Sequence, residues 1–231
     1  MVRARPVVAI DGPAGAGKST VARAVARALD FTLVDTGSLY RAVALLAKER
    51  GVAFDDVAAV ERVAREAVAS GALRLAASGH DTRVMVHGED PGERIRTPEL
   101  SMGASVVSAH PGVREALLDA QRQFGRDGAV VLEGRDIGTV VFPDAEVKVF
   151  LSARPEVRAR RRYEELAVKG VAVDFDATLA EVVRRDAQDA RRSIAPLRIA
   201  DDAWVLDSSE MTPDEVVAAI VNRVRGAATQ G

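Results

Sequence analysis

Gly12, Gly15 and Gly17 precede Lys18 and Ser19 in VVAIDGPAGAGKST, residues 7–20, and that spacing is able to cradle phosphate. The glycines let successive backbone N–H groups turn inward on an anion. Lys18 adds a point charge for β- and γ-phosphates, and the Ser19 hydroxyl can ligate Mg²⁺. The candidate ATP-phosphate site is therefore Gly12, Pro13, Ala14, Gly15, Ala16, Gly17, Lys18, Ser19 and Thr20. Such a loop needs a strand to feed it and a helix whose positive N-terminal end aims at the anion. The apolar run Val7 to Ile10 supplies the first as a buried parallel strand. The second is the helix after Lys18, with Val21, Ala22, Val25, Ala28 and Leu29 expected on its buried side.

Further charged groups follow the ends of other strands. FTLVD, residues 31–35, reads as a second strand and runs into Thr36, Gly37 and Ser38, with Arg41 one helical turn on. Ligands of open α/β sheets bind beyond the carboxyl ends of the strands, so Arg41 is a candidate for a substrate phosphate. The strand AVVLE, residues 129–133, ends in Glu133, Gly134, Arg135 and Asp136 on the same edge. Arg135 offers a phosphate fork and Asp136 an acceptor. For Glu133 two readings stand: a carboxylate reaching Mg²⁺ through water, or the charge of a turn. Arg154, Arg158, Arg161 and Arg162 recur at spacings of three and four beside Arg160, a density that repels itself until an anion arrives and suits a closing lid. Arg185, Asp189 and Arg192 share one helical face, where a binding site and a surface ion-pair ladder are equally good readings. His80, His87 and His110 have no metal-ligand spacing.

The elements that must position these residues open as βαβα, which implies a parallel sheet covered by helices. The pattern then breaks: helical spacing over Asp55 to Gly71 gives way to period two from Leu73 to about Ile95, an antiparallel hairpin inserted in an α/β domain. Helices are expected from Thr97 and from Pro111, the buried strand VKVFL at 147–151, helices over Arg154 to Lys169 and Thr178 to Ser193, a strand at Ala203 to Leu206, and a last helix from Thr212 that frays from Gly226. With 231 residues the chain can bury a large core, and a net charge of −2 supplies no basic field for nucleic acid. Cysteine is absent, and no apolar stretch approaches membrane-spanning length. The expectation is a cytoplasmic monomer acting on small molecules, with neither nucleic acid nor membrane as partner.

Taken together, GPAGAGKST, DTGSLYR, IRTPEL, HPGVREAL, EGRDIGTVVFPDA and RRDAQDARRSIAPL resemble the bacterial cytidylate kinases, in order and over essentially the whole chain. The resemblance implies a nucleoside-monophosphate kinase fold: a five-stranded parallel P-loop core, an inserted α+β monophosphate-binding subdomain and a short helical lid. The core would comprise residues 1–35, 125–153 and 194–231, the monophosphate subdomain 36–124, and the lid with its following helix 154–193. By matching motif positions, the family's cytosine contacts fall on Ser105, Arg114 and Asp136, and its ribose contacts on Arg185 and Asp189. Its acceptor-phosphate contacts fall on Arg41, Arg135 and Arg192, with Thr36 nearby. Lys18, Arg135, Arg158, Arg162 and Arg192 would surround the transferring phosphoryl group, with Ser19 on Mg²⁺. The activity implied is transfer from ATP to CMP and dCMP.

The residue chemistry agrees. Cytosine carries an amino donor at N4 beside acceptors at N3 and O2, which suits an aspartate flanked by arginine and serine; uracil would leave those groups mispaired at about 1–3 kcal/mol each. A monophosphate with a second pKa near 6 is already anionic at neutral pH, so no carboxylate base is required. Two rival classes are a P-loop kinase for another small acceptor and a nucleotide-switch or ATPase module. A guanine-reading Asn-Lys-x-Asp, which a GTPase switch would need, does not occur in the sequence.

Overall fold

The computed structural model describes residues 3–168, 170–191 and 194–228. Its sheet is built outward from β1 (Val7–Asp11), whose Val7, Val8, Ala9 and Ile10 are completely buried. A strand apolar on both faces needs helices on both faces, and parallel neighbours provide them through crossover connections. β1 accordingly lies between β5 (Val130–Gly134) and β6 (Val147–Ser152), both parallel to it. β2 (Thr32–Asp35) adds beyond β5 and β7 (Trp204–Asp207) beyond β6, which gives the expected five-stranded parallel core.

The hairpin β3 (Leu73–Ser78) and β4 (Asp81–Val86) extends this sheet rather than forming one of its own, in the order β3-β4-β2-β5-β1-β6-β7. Its attachment is narrow. Leu33 opposite Asp81 is the sole residue pair joining β2 to β4, reinforced by the Leu33 amide on the His80 carbonyl and by an Arg23–Asp81 ion pair.

On one face α1 (Lys18–Leu29) and α8 (Pro213–Ala228) pack through Val21, Val25, Ile220 and Val224 against Val8, Ile10 and Val149. The buried side of α1 uses Ala26 where Ala28 was expected: Lys18, Val21, Ala22, Val25 and Ala26 are buried, Leu29 is half-buried and Ala28 is exposed. A second core joins α2 (Thr36–Glu49), α3 (Val57–Ala69), α4 (Pro98–Val107) and α5 (Pro111–Gln123) through Leu39, Leu46, Val60, Leu100, Val107 and Leu117. α6 (Pro155–Val168) and α7 (Phe175–Ala190) form a helical pair held by the Tyr163–Phe175 edge contact and by Arg160 over the Phe175 ring.

α7 begins a turn before the expected Thr178, because the Asp174 carboxylate accepts the Ala177 amide at 2.8 Å and caps the helix there. α8 continues regularly through Gly226, where fraying was expected to begin. Among the described residues no helix is long and apolar enough to cross a membrane.

Candidate functional site

A cleft of about 740 Å³ opens along the carboxyl edge of the parallel strands. One end is the loop between β1 and α1. Gly12 passes so close to β6 that a Cβ would lie 2.0 Å from the Leu151 carbonyl oxygen, and its φ of +149° is itself reserved for glycine. Gly12 and Pro13 therefore shape the loop from beneath, while residues 14–20 line the cleft. Gly17 begins α1 with no side-chain cap, leaving the first amides of the helix directed at the cleft mouth. The buried Lys18 ammonium donates to the Pro13 carbonyl at 2.7 Å. Burial, and after it the guanidinium of Arg135, hold Lys18 well below the usual lysine range.

Glu133, at the end of β5, is almost wholly buried beside Ser19, whose side chain hydrogen-bonds to it. Its Oε1 has no hydrogen-bond partner among the described residues. Burial and the neighbouring Asp35 carboxylate push the Glu133 carboxyl up, whereas Lys18, Ser19 and Arg41 act in the opposite sense. No cluster of three acidic, imidazole or thiol side chains able to hold a metal occurs among the described residues.

The rest of the cleft is walled by arginine–carboxylate pairs. Arg41 Nη2 donates to Asp35 Oδ2 at 2.6 Å, and the other Asp35 oxygen caps α2 by accepting the Ser38 amide. Arg114 pairs with Asp136, donates to the Ser108 carbonyl at 3.0 Å, and lies 5.5 Å from the centre of the Tyr40 ring. Asp189, 1% exposed, accepts Arg135 Nε at 3.0 Å on one oxygen and Ser105 Oγ at 3.3 Å on the other. Thr36 donates its hydroxyl to the Glu133 carbonyl at 2.7 Å, which ties the start of α2 to the end of β5. Thr36, Arg41, Ser105, Arg114, Arg135, Asp136, Arg185 and Asp189 all line the one cleft, although up to 153 positions separate them in sequence (189 − 36). Arg192 lies outside the described residues.

The lid arginines divide. Arg162 lines the cleft, paired with Glu165 at 2.9 Å. Arg158, expected beside the transferring phosphate, does not line the cleft: it is 3% exposed and donates to the carbonyls of Ala153 and Ala14 and bidentately to Asp186. Four donor contacts to fixed acceptors hold it as a pin joining α6, α7 and the underside of the phosphate loop. Arg161 lines the cleft, bonded to Ser208 just beyond the end of β7. Helical spacing alone could not tell which of the four arginines faces the cavity.

The pattern of residues 8–226 matches that of the cytidylate kinases. The chain belongs to the cytidylate kinase family. It is 48% identical over 225 residues to the cytidylate kinase of a Geobacter species, covering 97% of this chain and 95% of that protein. It is 51% identical over 219 residues to that of Pelotomaculum thermopropionicum, with 95% and 96% covered. Against that of Syntrophotalea carbinolica it is 49% identical over 218 residues, with 94% and 91% covered. It is thus an ATP-dependent nucleoside-monophosphate kinase acting on CMP.

Sequence reasoning passed over Tyr40 and Ser108, which line the cleft beside Arg114, and Asp11, whose carboxylate accepts the amides of Ile137 and Gly138. Tyr40 and Ser108 carry no spacing signal. Asp11 does: it is a charge at the end of an otherwise wholly apolar strand.

Proposed function

We propose that the γ-phosphoryl group of ATP passes to CMP, and to dCMP, along this cleft, with residues 14–20 holding the donor and the arginine–carboxylate end holding the acceptor. One observation carries the reading: Arg114 and Asp136 present donor and acceptor side by side, next to Ser105, at the far end of a cleft that begins at the phosphate loop. That alternation fits the N4 amino group with N3 and O2 of cytosine, and mispairs with uracil. The floor at Arg185 and Asp189 takes the ribose. Arg41, Arg135 and Arg192 take the CMP phosphate, which replaces Asp35 and Asp189 as the partner of the first two.

The chemistry follows from charge. Lys18, whose own charge is disfavoured while it is buried among guanidiniums, is stabilised as an ammonium once a triphosphate lies over it. It then offsets the charge that develops on the transferred group, together with Arg135, Arg162 and Arg192. The acceptor oxygen is already anionic at neutral pH, so the residues need only align it, neutralise it and exclude water, which would otherwise waste ATP. Arg158 contributes through the loop and α7 that it pins. Ser19 would hold Mg²⁺ directly, and Glu133, whose buried Oε1 has no hydrogen-bond partner among the described residues, would reach the ion through water. When bound, the ion would offset charge on the phosphates being transferred. In this reading residues 1–35, 125–153 and 194–231 are the core, 36–124 carry the acceptor, and 154–193 close over both.

ADP release from ATP and Mg²⁺, measured separately with CMP, dCMP, UMP, AMP and GMP, tests the assignment. CMP and dCMP should lead, UMP should trail, and the purines should be inert. Equal turnover of AMP or GMP, or release without any acceptor, would sink it.

A further inference from the structure

Asp11 ends β1 immediately before Gly12, and none of the steps above uses it. Its buried carboxylate accepts the Ile137 amide on Oδ1 and the Gly138 amide on Oδ2, each at 2.8 Å. These amides open a single π-helical turn, Ile137–Val141, and Asp136 stands just before it with φ −146° and ψ 24°. The first amides of a helical turn have no partner within it, and here a carboxylate from another strand takes two of them. The surroundings leave the turn little freedom. A Cβ on Gly138 would lie 3.1 Å from Lys148 Cδ and 3.4 Å from Asp11 Oδ2, and β1 pairs with β5 so that Asp11 is opposite Gly134. The segment 135–136 is thus fixed on its entry side by the β1–β5 ladder and on its exit side by one carboxylate.

We propose that Asp11 is a positioning residue for acceptor specificity: its carboxylate clamps the 137–138 amides and so holds Asp136 against Arg114 in the geometry that discriminates cytosine from uracil. The proposal rests on the reading of Asp136 as the cytosine acceptor. A carboxylate suits the task because both of its oxygens accept. An asparagine of the same shape would satisfy one amide and turn an NH₂ donor on the other. Holding the charge is unfavourable in itself: burial pushes the Asp11 carboxyl up to about 6, despite the two amides. Of the charged groups facing it, Asp136 adds to this rise and Lys18 counters it, while the Lys148 stem packs alongside. A buried carboxylate kept ionised against such a penalty, immediately ahead of the phosphate loop, points to function.

The experiment measures kcat and KM for CMP and UMP, and KM for ATP, in the wild type, in Asp11→Asn and in Asp136→Asn. Loss of one charged hydrogen bond predicts that Asp11→Asn raises the CMP KM about tenfold and lowers the CMP-over-UMP preference by a similar factor. The ATP KM should stay within about twofold. In the wild type the preference should fall as pH drops through about 6, since comparing two nucleotides cancels the titration of their common phosphate; Asp11→Asn should remove that dependence. An Asp11→Asn enzyme with unchanged preference but lower stability would make the residue structural, and an ATP KM that rises with the CMP KM would place its effect on the phosphate loop; either overturns the proposal. Should Asp11→Asn fail to fold, a wild-type preference that is flat from about pH 7.5 to 5.5 overturns it as well. If Asp136→Asn keeps full preference, the base-site reading fails first. If Asp136→Asn loses it while Asp11→Asn does not, only the role of Asp11 falls.

Discussion

At the end of the cleft proposed to hold ATP the wall is a backbone loop: Gly12, Gly15 and Gly17 hold φ values of 149°, 76° and 89°, and Lys18 is fixed on the Pro13 carbonyl. At the acceptor end it is side chain, and Arg41, Arg114 and Arg135 are each held by a carboxylate, Asp35, Asp136 and Asp189. The backbone site is complete before substrate arrives. The side-chain site is preorganised by ion pairs, and an incoming phosphate or base must take over part of each pair. Donor failures should therefore appear as loss of fold and of ATP binding together, whereas acceptor failures should appear in CMP kinetics with the fold intact.

The largest effect is expected at Gly12. An alanine there places Cβ against the Leu151 carbonyl, which belongs to a central strand and cannot rotate away, at a φ that L-residues rarely adopt. Gly12→Ala should lose more than about 3 kcal/mol in urea unfolding. Whatever folds should bind ATP poorly in calorimetry. A variant that matches the wild type in both would break the comparison, because the donor end would then tolerate displacement of its backbone.

Arg41→Ala probes the other end. A charge-assisted contact to the CMP phosphate predicts a rise in CMP KM on the order of a hundredfold, with ATP KM within about twofold. Asp35 would keep its capping bond to the Ser38 amide, so α2 should persist and unfolding should shift little. Loss of ATP affinity of similar size would mean that the two ends are not separable in this way.

The same contrast explains what was legible in the sequence. The phosphate loop could be read because strand, turn and helix are contiguous, and local geometry dictates which residue types can stand there. The five parallel strands were legible for a related reason: runs such as VVAID and AVVLE are apolar on both faces. The acceptor site was not, from spacing alone. Arg185 and Asp189 read equally well as a surface ladder, and only the packing of α7 over Ser105 and Arg135 brings Asp189 to 1% exposure. Resemblance supplied those residues before the geometry did. The lid was legible as a basic helix, but the choice between Arg158 and Arg161 was not, because Asp186, on a different helix, decides it. The π-helical turn carries no periodic signal over five residues and depends on Asp11, 126 positions away.

Asp11 joins the two ends, and its effect on stability should be smaller than that of Gly12→Ala and dependent on pH. Its folded pKa of about 6 lies above the ordinary aspartate value of 3.8, so between those values the native state binds more protons than the unfolded chain. Its contribution is therefore fully present below the unfolded value and is lost as pH rises through about 6. Other carboxylates titrate in the same range, so the quantity to follow is the unfolding free energy of the wild type minus that of Asp11→Asn, which lacks the titrating group. That difference should fall by about 2 kcal/mol between about pH 4.5 and pH 7, or some 5 °C in Tm. A constant difference would mean that the carboxylate is solvated or paired well enough to ionise freely. The link between the donor strand and the base-reading turn would then be a pair of ordinary hydrogen bonds, and the acceptor end would owe its geometry to its own arginines alone.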